Sequence, residues 1–143
     1  MDNRVALDKE FSTQSFVEEQ PYEEMLDKYK EMACNYSQME NVIAVLSDLR
    51  TNTSYIHYGS FSQMLGIDED RKENKVCSIW EEEIFKLIHP DDLASKHLHE
   101  LCFFHFIKRQ PKKKRKDYYL TSKLRMKSDT NSYINVLHRI FYI

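Results

Sequence analysis

Ile88-His89-Pro90-Asp91-Asp92-Leu93 is the stretch on which the reading of this chain turns. A proline has no N–H to lose in the first turn of a helix, and its φ is already helical, so Pro90 marks the first helical position. His89 then falls at the N-cap. Asp91 and Asp92 sit in the first turn, where unpaired backbone N–H groups favour carboxylates. The spacing predicts a helix over residues 90–109, burying Leu93, Leu98, Leu101 and Phe104 or their neighbours.

Working back towards the N-terminus, Ile79, Trp80, Ile84, Leu87 and Ile88 form a helical apolar face over about 78–88, and the polar stretch 68–75 before it reads as a loop. Phe61, Met64 and Leu65 make a short helix that stops at Gly66, because glycine adopts positive φ cheaply. Val42 to Ser47 and Ser54 to Tyr58 are apolar, β-branched runs around a turn-like segment and read as a hairpin. Met25, Tyr29, Met32 and Tyr36 recur at helical spacing from Pro21 to about residue 38, whereas residues 1–20 read as irregular or weakly helical. On the C-terminal side, Tyr118, Leu120, Ser122, Leu124 and Met126 alternate with Tyr119, Thr121, Lys123 and Arg125, which is strand periodicity. A turn at 127–131 and a return strand over 132–143 follow. The element order predicts an α+β fold, an antiparallel sheet with helices on one face.

Composition narrows the function classes. At 143 residues, 41% hydrophobic and 31% charged, the chain fits one globular domain. Two glycines leave no phosphate-cradling loop, and no GxSxG, HExxH or P-loop is present, so an enzyme is not expected. Cys34, Cys77 and Cys102 show no CxxC spacing, so neither a metal nor a disulfide framework is implied and a cytoplasmic location fits. No stretch resembles a signal peptide or is long enough to span a bilayer, so no membrane partner is expected. Charge is uneven: residues 1–40 carry 4 basic and 10 acidic groups, residues 41–92 carry 5 and 10, and residues 93–143 carry 12 and 3. The run Lys112-Lys113-Lys114-Arg115-Lys116 supplies much of the last excess. It reads as a solvated loop, with contact to an anionic partner as the alternative.

The element order, with Glu40-Asn41-Val42-Ile43-Ala44-Val45, Phe61-Ser62-Gln63-Met64-Leu65-Gly66, Ile88-His89-Pro90-Asp91-Asp92-Leu93 and Lys116-Asp117-Tyr118-Tyr119-Leu120, resembles the PAS fold. The likeness is to the PAS-like sensory domain of LuxR-type helix-turn-helix regulators from gut Bacteroidetes, and it covers roughly residues 21–143. The resemblance implies an N-terminal extension over 1–38 with its helix from about 21, and a PAS-like domain over 39–143. It implies a sensory or dimerisation input domain that reaches DNA only through an output domain absent from this chain. A PAS sheet has five strands, the fifth lying between the first and the fourth; here the fifth is missing after the return strand.

The cavity that this architecture implies would be lined by Tyr55, Phe61, Trp80, Phe104, Tyr118 and Phe141, either holding a small molecule or filled by those same side chains. No cofactor is expected. Cys77 lacks the sequence context of flavin-adduct relatives, and His97, His99 and His105 lack the spacing of a metal pair. Met25, Tyr29, Met32 and Tyr36 are the candidate seam of a homodimer, or pack on their own sheet. The unpaired first and fourth strands predict closure through a second chain. Alternatives are a strand from Val5-Ala6-Leu7 or Phe16-Val17, or collapse into a four-stranded sheet.

Overall fold

The structure, a computed structural model, describes residues 2–13, 22–67 and 73–142. The expectations for Phe16-Val17, Pro21, residues 68–72 and Ile143 lie outside the described residues. Helix α1 (Asn3–Ser12) and helix α2 (Tyr22–Glu40) precede the strands β1 (Ile43–Asp48) and β2 (Thr53–Tyr58). Helix α3 (Phe61–Met64), strand β3 (Glu73–Val76) and helix α4 (Glu82–Phe85) lead to the long helix α5 (Pro90–Lys108). The 3₁₀ helix Lys112–Asp117 then joins the hairpin of β4 (Tyr119–Lys127) and β5 (Tyr133–Phe141). The fold is α+β with antiparallel sheets, one ordered β1-β2-β3 and one made of β4-β5.

The motif at residues 88–93 does what its chemistry demands. His89 caps α5, its Nδ1 accepting the Asp91 N–H at 3.2 Å, and Pro90 opens the first turn. Asp92 reaches across to β4. Its Oδ2 accepts the Arg125 N–H at 2.8 Å and the Arg125 Nε–H at 2.9 Å, and its Oδ1 accepts from Nη2 at 2.9 Å. The segment before α5 also joins the edge of β4, with His89 N–H donating to Arg125 C=O at 2.9 Å and Lys127 N–H to Leu87 C=O at 2.8 Å. Beneath this clamp lies the core: Ile56 and Tyr58 of β2, Leu65 and Ile67, Phe85 and Ile88, and Leu124 and Met126 of β4.

Tight turns are made mostly by asparagine. Asn41, Asn52 and Asn131 adopt φ of 55°, 51° and 70° at the entry to β1, the β1–β2 turn and the β4–β5 turn, and Gly66 adopts 75° after α3. Asparagine tolerates this region because its short side chain can bond locally. Gly59 is needed for a different reason: a Cβ there would lie 2.5 Å from the carbonyl oxygens of both Ser37 and Val42. The end of α2 is thus seated directly on the end of β2.

Several expectations need correction. The segment Val5-Ala6-Leu7 is helical, not a strand, and lies in α1, which is held by tertiary contacts. Leu7 is fully buried, Phe11 packs against Trp80 and Phe104, and Asp8 accepts the Trp80 Nε1–H at 3.0 Å. Strand β3 begins at Glu73, inside the expected loop 68–75, and pairs with β2 from His57↔Glu73 to Ser54↔Val76. The expected helix over 78–88 shrinks to Glu82–Phe85, because Ile79 N–H donates to Asn52 Oδ1 and Trp80 N–H to Ser78 Oγ, holding the chain in a non-helical path. Helices cover both faces of β1–β2 and not one: α2 lies on the side of Tyr55, whose ring is 4.2 Å from the Lys30 ammonium, while Ile56 and Tyr58 face the core. Collapse into a four-stranded sheet does not occur; among the described residues β1 pairs only with β2, and β5 only with β4.

Gly59→Ala should therefore destabilise the fold by about 1–3 kcal/mol, the usual cost of forcing a group into packed space. Chemical denaturation measures it, and a loss under about 0.5 kcal/mol would show that α2 can move off β2 freely.

Candidate functional site

Helix α5 buries a face made of Lys96, His97, Glu100, Phe103, Phe104 and Ile107. Three of these six carry polar groups, which is unusual because a buried charge is costly unless it is paired. Lys96 and Glu100, 5% and 8% exposed, form an ion pair one helical turn apart. The Lys96 ammonium also lies 4.4 Å from the centre of the Phe85 ring.

Opposite them, the inner face of the hairpin is apolar except for one cross-strand pair. Leu120, Ser122, Leu124 and Met126 of β4 stand beside Ile140, His138, Val136 and Ile134 of β5, so Ser122 and His138 form a polar step in an otherwise apolar wall. Burial, with the nearby Lys96 charge, pushes the His138 imidazole down to a pKa of about 4, and its Nδ1 has no hydrogen-bond partner among the described residues. His97 is likewise pushed down to about 4 by burial and by Lys96. Its ring stands edge-on to Trp80 and Phe85, and its Nε2 has no hydrogen-bond partner among the described residues. Burial raises the Glu81 carboxyl above its usual range, against the opposing pull of the Ser54 hydroxyl at 2.7 Å and the Ser47 hydroxyl at 3.2 Å. Burial first and the Glu100 charge second raise the Tyr142 phenol.

A cleft of about 390 Å³ runs between α5 and β4, lined by Asp92, Ser95, Lys96 and His99 on one side and by residues 120–124 on the other. The six aromatic residues expected to line one cavity are dispersed. Trp80 and Phe104 come together around Phe11, and Phe61 packs against the core. Tyr55 lies under α2 on the far side of the sheet, and Tyr118 and Phe141 are exposed. Along the candidate seam, Met25 and Tyr29 are half-buried, whereas Met32 and Tyr36 are exposed.

Of the other singled-out residues, Cys77 and His99 are exposed. His105 lies 3.4 Å from Glu10. Among the described residues no group of three or more His, Cys, Asp or Glu side chains could hold a metal ion, and no helix is long and apolar enough to cross a membrane. Lys96, Glu100, Glu81 and His138 were not among the expected site residues. Three of these four carry a signal: Lys96 and Glu100 fall on the helical stripe 93, 96, 97, 100, 104 and 107, and His138 continues the alternation of Ile134, Val136 and Ile140, whereas Glu81 stands in no such pattern.

No protein-family model and no curated protein matches this chain.

The buried imidazoles fix a pH response. A histidine whose folded pKa lies near 4 and whose unfolded pKa lies near 6.5 contributes stability that is complete above about 6.5 and lost as pH falls towards 4. His57, lowered by burial, adds in the same sense. Glu81, raised above 4.5, has the opposite sign and costs stability as pH rises through its folded pKa. With three histidines against one carboxyl, unfolding free energy should fall between pH 6.5 and 5, and His138→Leu should flatten that fall. Denaturant titrations across this range test it, and an unchanged slope in the variant would refute the assignment to His138.

Proposed function

We propose that this domain is a sensory input module of a transcriptional regulator, PAS-like in design, that binds a small polar molecule beside α5. One observation carries the reading: the interior between α5 and the hairpin holds a buried ion pair and a polar step with a partnerless imidazole nitrogen, where a purely structural core would be apolar. Such groups stabilise a fold poorly and recognise a ligand well, because an unpaired buried polar atom regains a hydrogen bond when a partner arrives. Located in the cytoplasm, the module would act on DNA only through an output domain. Thermal-shift screening of metabolite classes tests the reading, since a ligand that binds only the folded state raises the melting temperature. At least one polar class should raise it by several degrees at saturation, and a flat response across all classes would overturn the proposal.

A second reading, an interaction module that dimerises, rests on charge. The exposed side of α2 sets Met32, Tyr36 and Met39 among Glu23, Glu24, Asp27 and Glu31, with Lys28 the one exposed basic residue of the helix. The outer face of the hairpin sets Tyr119, Tyr133, Leu137 and Phe141 among Lys123, Arg125 and Arg139. Each surface is apolar with net charge of the opposite sign to the other, so α2 of one copy matches the hairpin of a second. Met32→Glu should leave stability within about 0.5 kcal/mol of the parent, because the side chain is exposed, and should weaken self-association. Analytical ultracentrifugation measures the latter; a parent protein that stays monomeric at high concentration would remove this reading.

A further inference from the structure

The free edge of β4 already shows what it binds. Asp92 places its carboxylate against Arg125, where it takes the backbone N–H and the guanidinium together. The Arg125 N–H and C=O both point away from β5, towards Asp92 and His89. Along a strand in an antiparallel pair this orientation alternates, so the N–H groups of Lys123 and Thr121 face the same outer edge. The pairing with residues 87–89 does not extend that far, and among the described residues nothing bonds these two N–H groups. Thr121 and Lys123 both line the cleft beside α5.

The groups around them are donors. The Asp92 oxygens are engaged by Arg125, so the basic residues lining the cleft are Lys96, His99 and Lys123, the last leaving β4 on the outer face of the hairpin as Arg125 does before it turns over the strand edge to Asp92. Lys96 is buried and gives one hydrogen bond to Glu100, leaving N–H groups that a second acceptor can use. Ser122 lines the same cleft and stands cross-strand from His138 with its partnerless Nδ1. Leu120 and Leu124 supply apolar wall, and a volume of about 390 Å³ lies at the small end of the range for ligand pockets.

We infer that the cleft between α5 and the free edge of β4 binds a small organic carboxylate with an apolar body. The carboxylate is held by the Lys123 N–H with the Lys96 and Lys123 ammonium groups, and the body lies along Leu120 and Leu124. The ligand repeats, two residues along the strand, the arrangement that Asp92 makes with Arg125. The inference rests on the sensory reading and assigns that site its ligand class.

Phenylacetate and its neutral counterpart phenylacetamide are the probes, titrated into the full chain with the backbone amide of Lys123 followed by ¹⁵N NMR. Phenylacetate should shift the Lys123 and Thr121 amides and raise the melting temperature, and phenylacetamide should do neither. Lys123→Met and the double variant Lys96→Met/Glu100→Leu should each weaken phenylacetate binding by about tenfold or more, as expected for one charge-assisted hydrogen bond. Lys123 is exposed, so its variant folds whatever becomes of the double variant. Equal binding of the amide would overturn the carboxylate class and leave a small-molecule site in place. Lys123 and Thr121 amides that move with neither probe would overturn the cleft as the site. In that event a melting-temperature rise with some other metabolite keeps the sensory reading, and none sinks both.

Discussion

The Asp92 carboxylate is the tie on which the arrangement depends. Among the described residues the two sheets share no backbone pairing, so the β4–β5 hairpin is placed by side chains and by its contact with the start of α5. Asp92 closes that contact with two guanidinium bonds and one backbone bond, and Arg125 holds its carboxyl well below the usual carboxylate range. The position of the clamp also matters. It fixes β4 at one end of α5 and leaves the strand edge over 120–124 uncovered, which is how a cleft comes to exist beside a packed core.

Within the space so defined, hydrophobic burial and recognition pull in different directions. Ile56, Phe85, Ile88, Leu124 and Met126 do the ordinary work of a core, removing apolar surface from water. Lys96, Glu100, Glu81 and His138 lie beside them at sites where an apolar side chain would pack without any desolvation cost. The ion pair offsets part of that cost, and the Ser47 and Ser54 hydroxyls satisfy Glu81, but His97 Nε2 and His138 Nδ1 have no hydrogen-bond partner among the described residues. Polar groups that a core does not need are the physical basis for reading the region as a site.

The parts of the fold legible in the sequence are those whose signals are local. Pro90 and the two aspartates mark the start of α5, Gly66 marks the end of α3, and the alternation through 118–126 marks β4, because each depends on a residue's own backbone preference or on simple periodicity. Strand β3 was hidden because an edge strand is held by backbone bonds to β2, and Glu73 and Lys75 give no apolar alternation. Helix α1 was hidden because its stability comes from Trp80, Phe104 and Lys108, all distant in sequence. Along α5 the expected buried stripe drifted to Leu98 and Leu101, of which Leu98 is exposed and Leu101 half-buried. The true stripe runs through Lys96, His97 and Glu100, and a reading that equates burial with apolarity passes over it. The candidate site was missed for the same reason, since sites are where local sequence rules are broken.

If the Lys96–Glu100 pair is kept for recognition and not for stability, the unfolding free energy of Lys96→Met/Glu100→Leu beside that of Glu100→Leu alone will show it. Removing one partner strands a buried charge and should cost about 3–5 kcal/mol, whereas replacing both with apolar side chains of similar volume should be neutral or stabilising by about 1–4 kcal/mol. A double variant as unstable as the single one would contradict the claim and make the pair a structural element of the core.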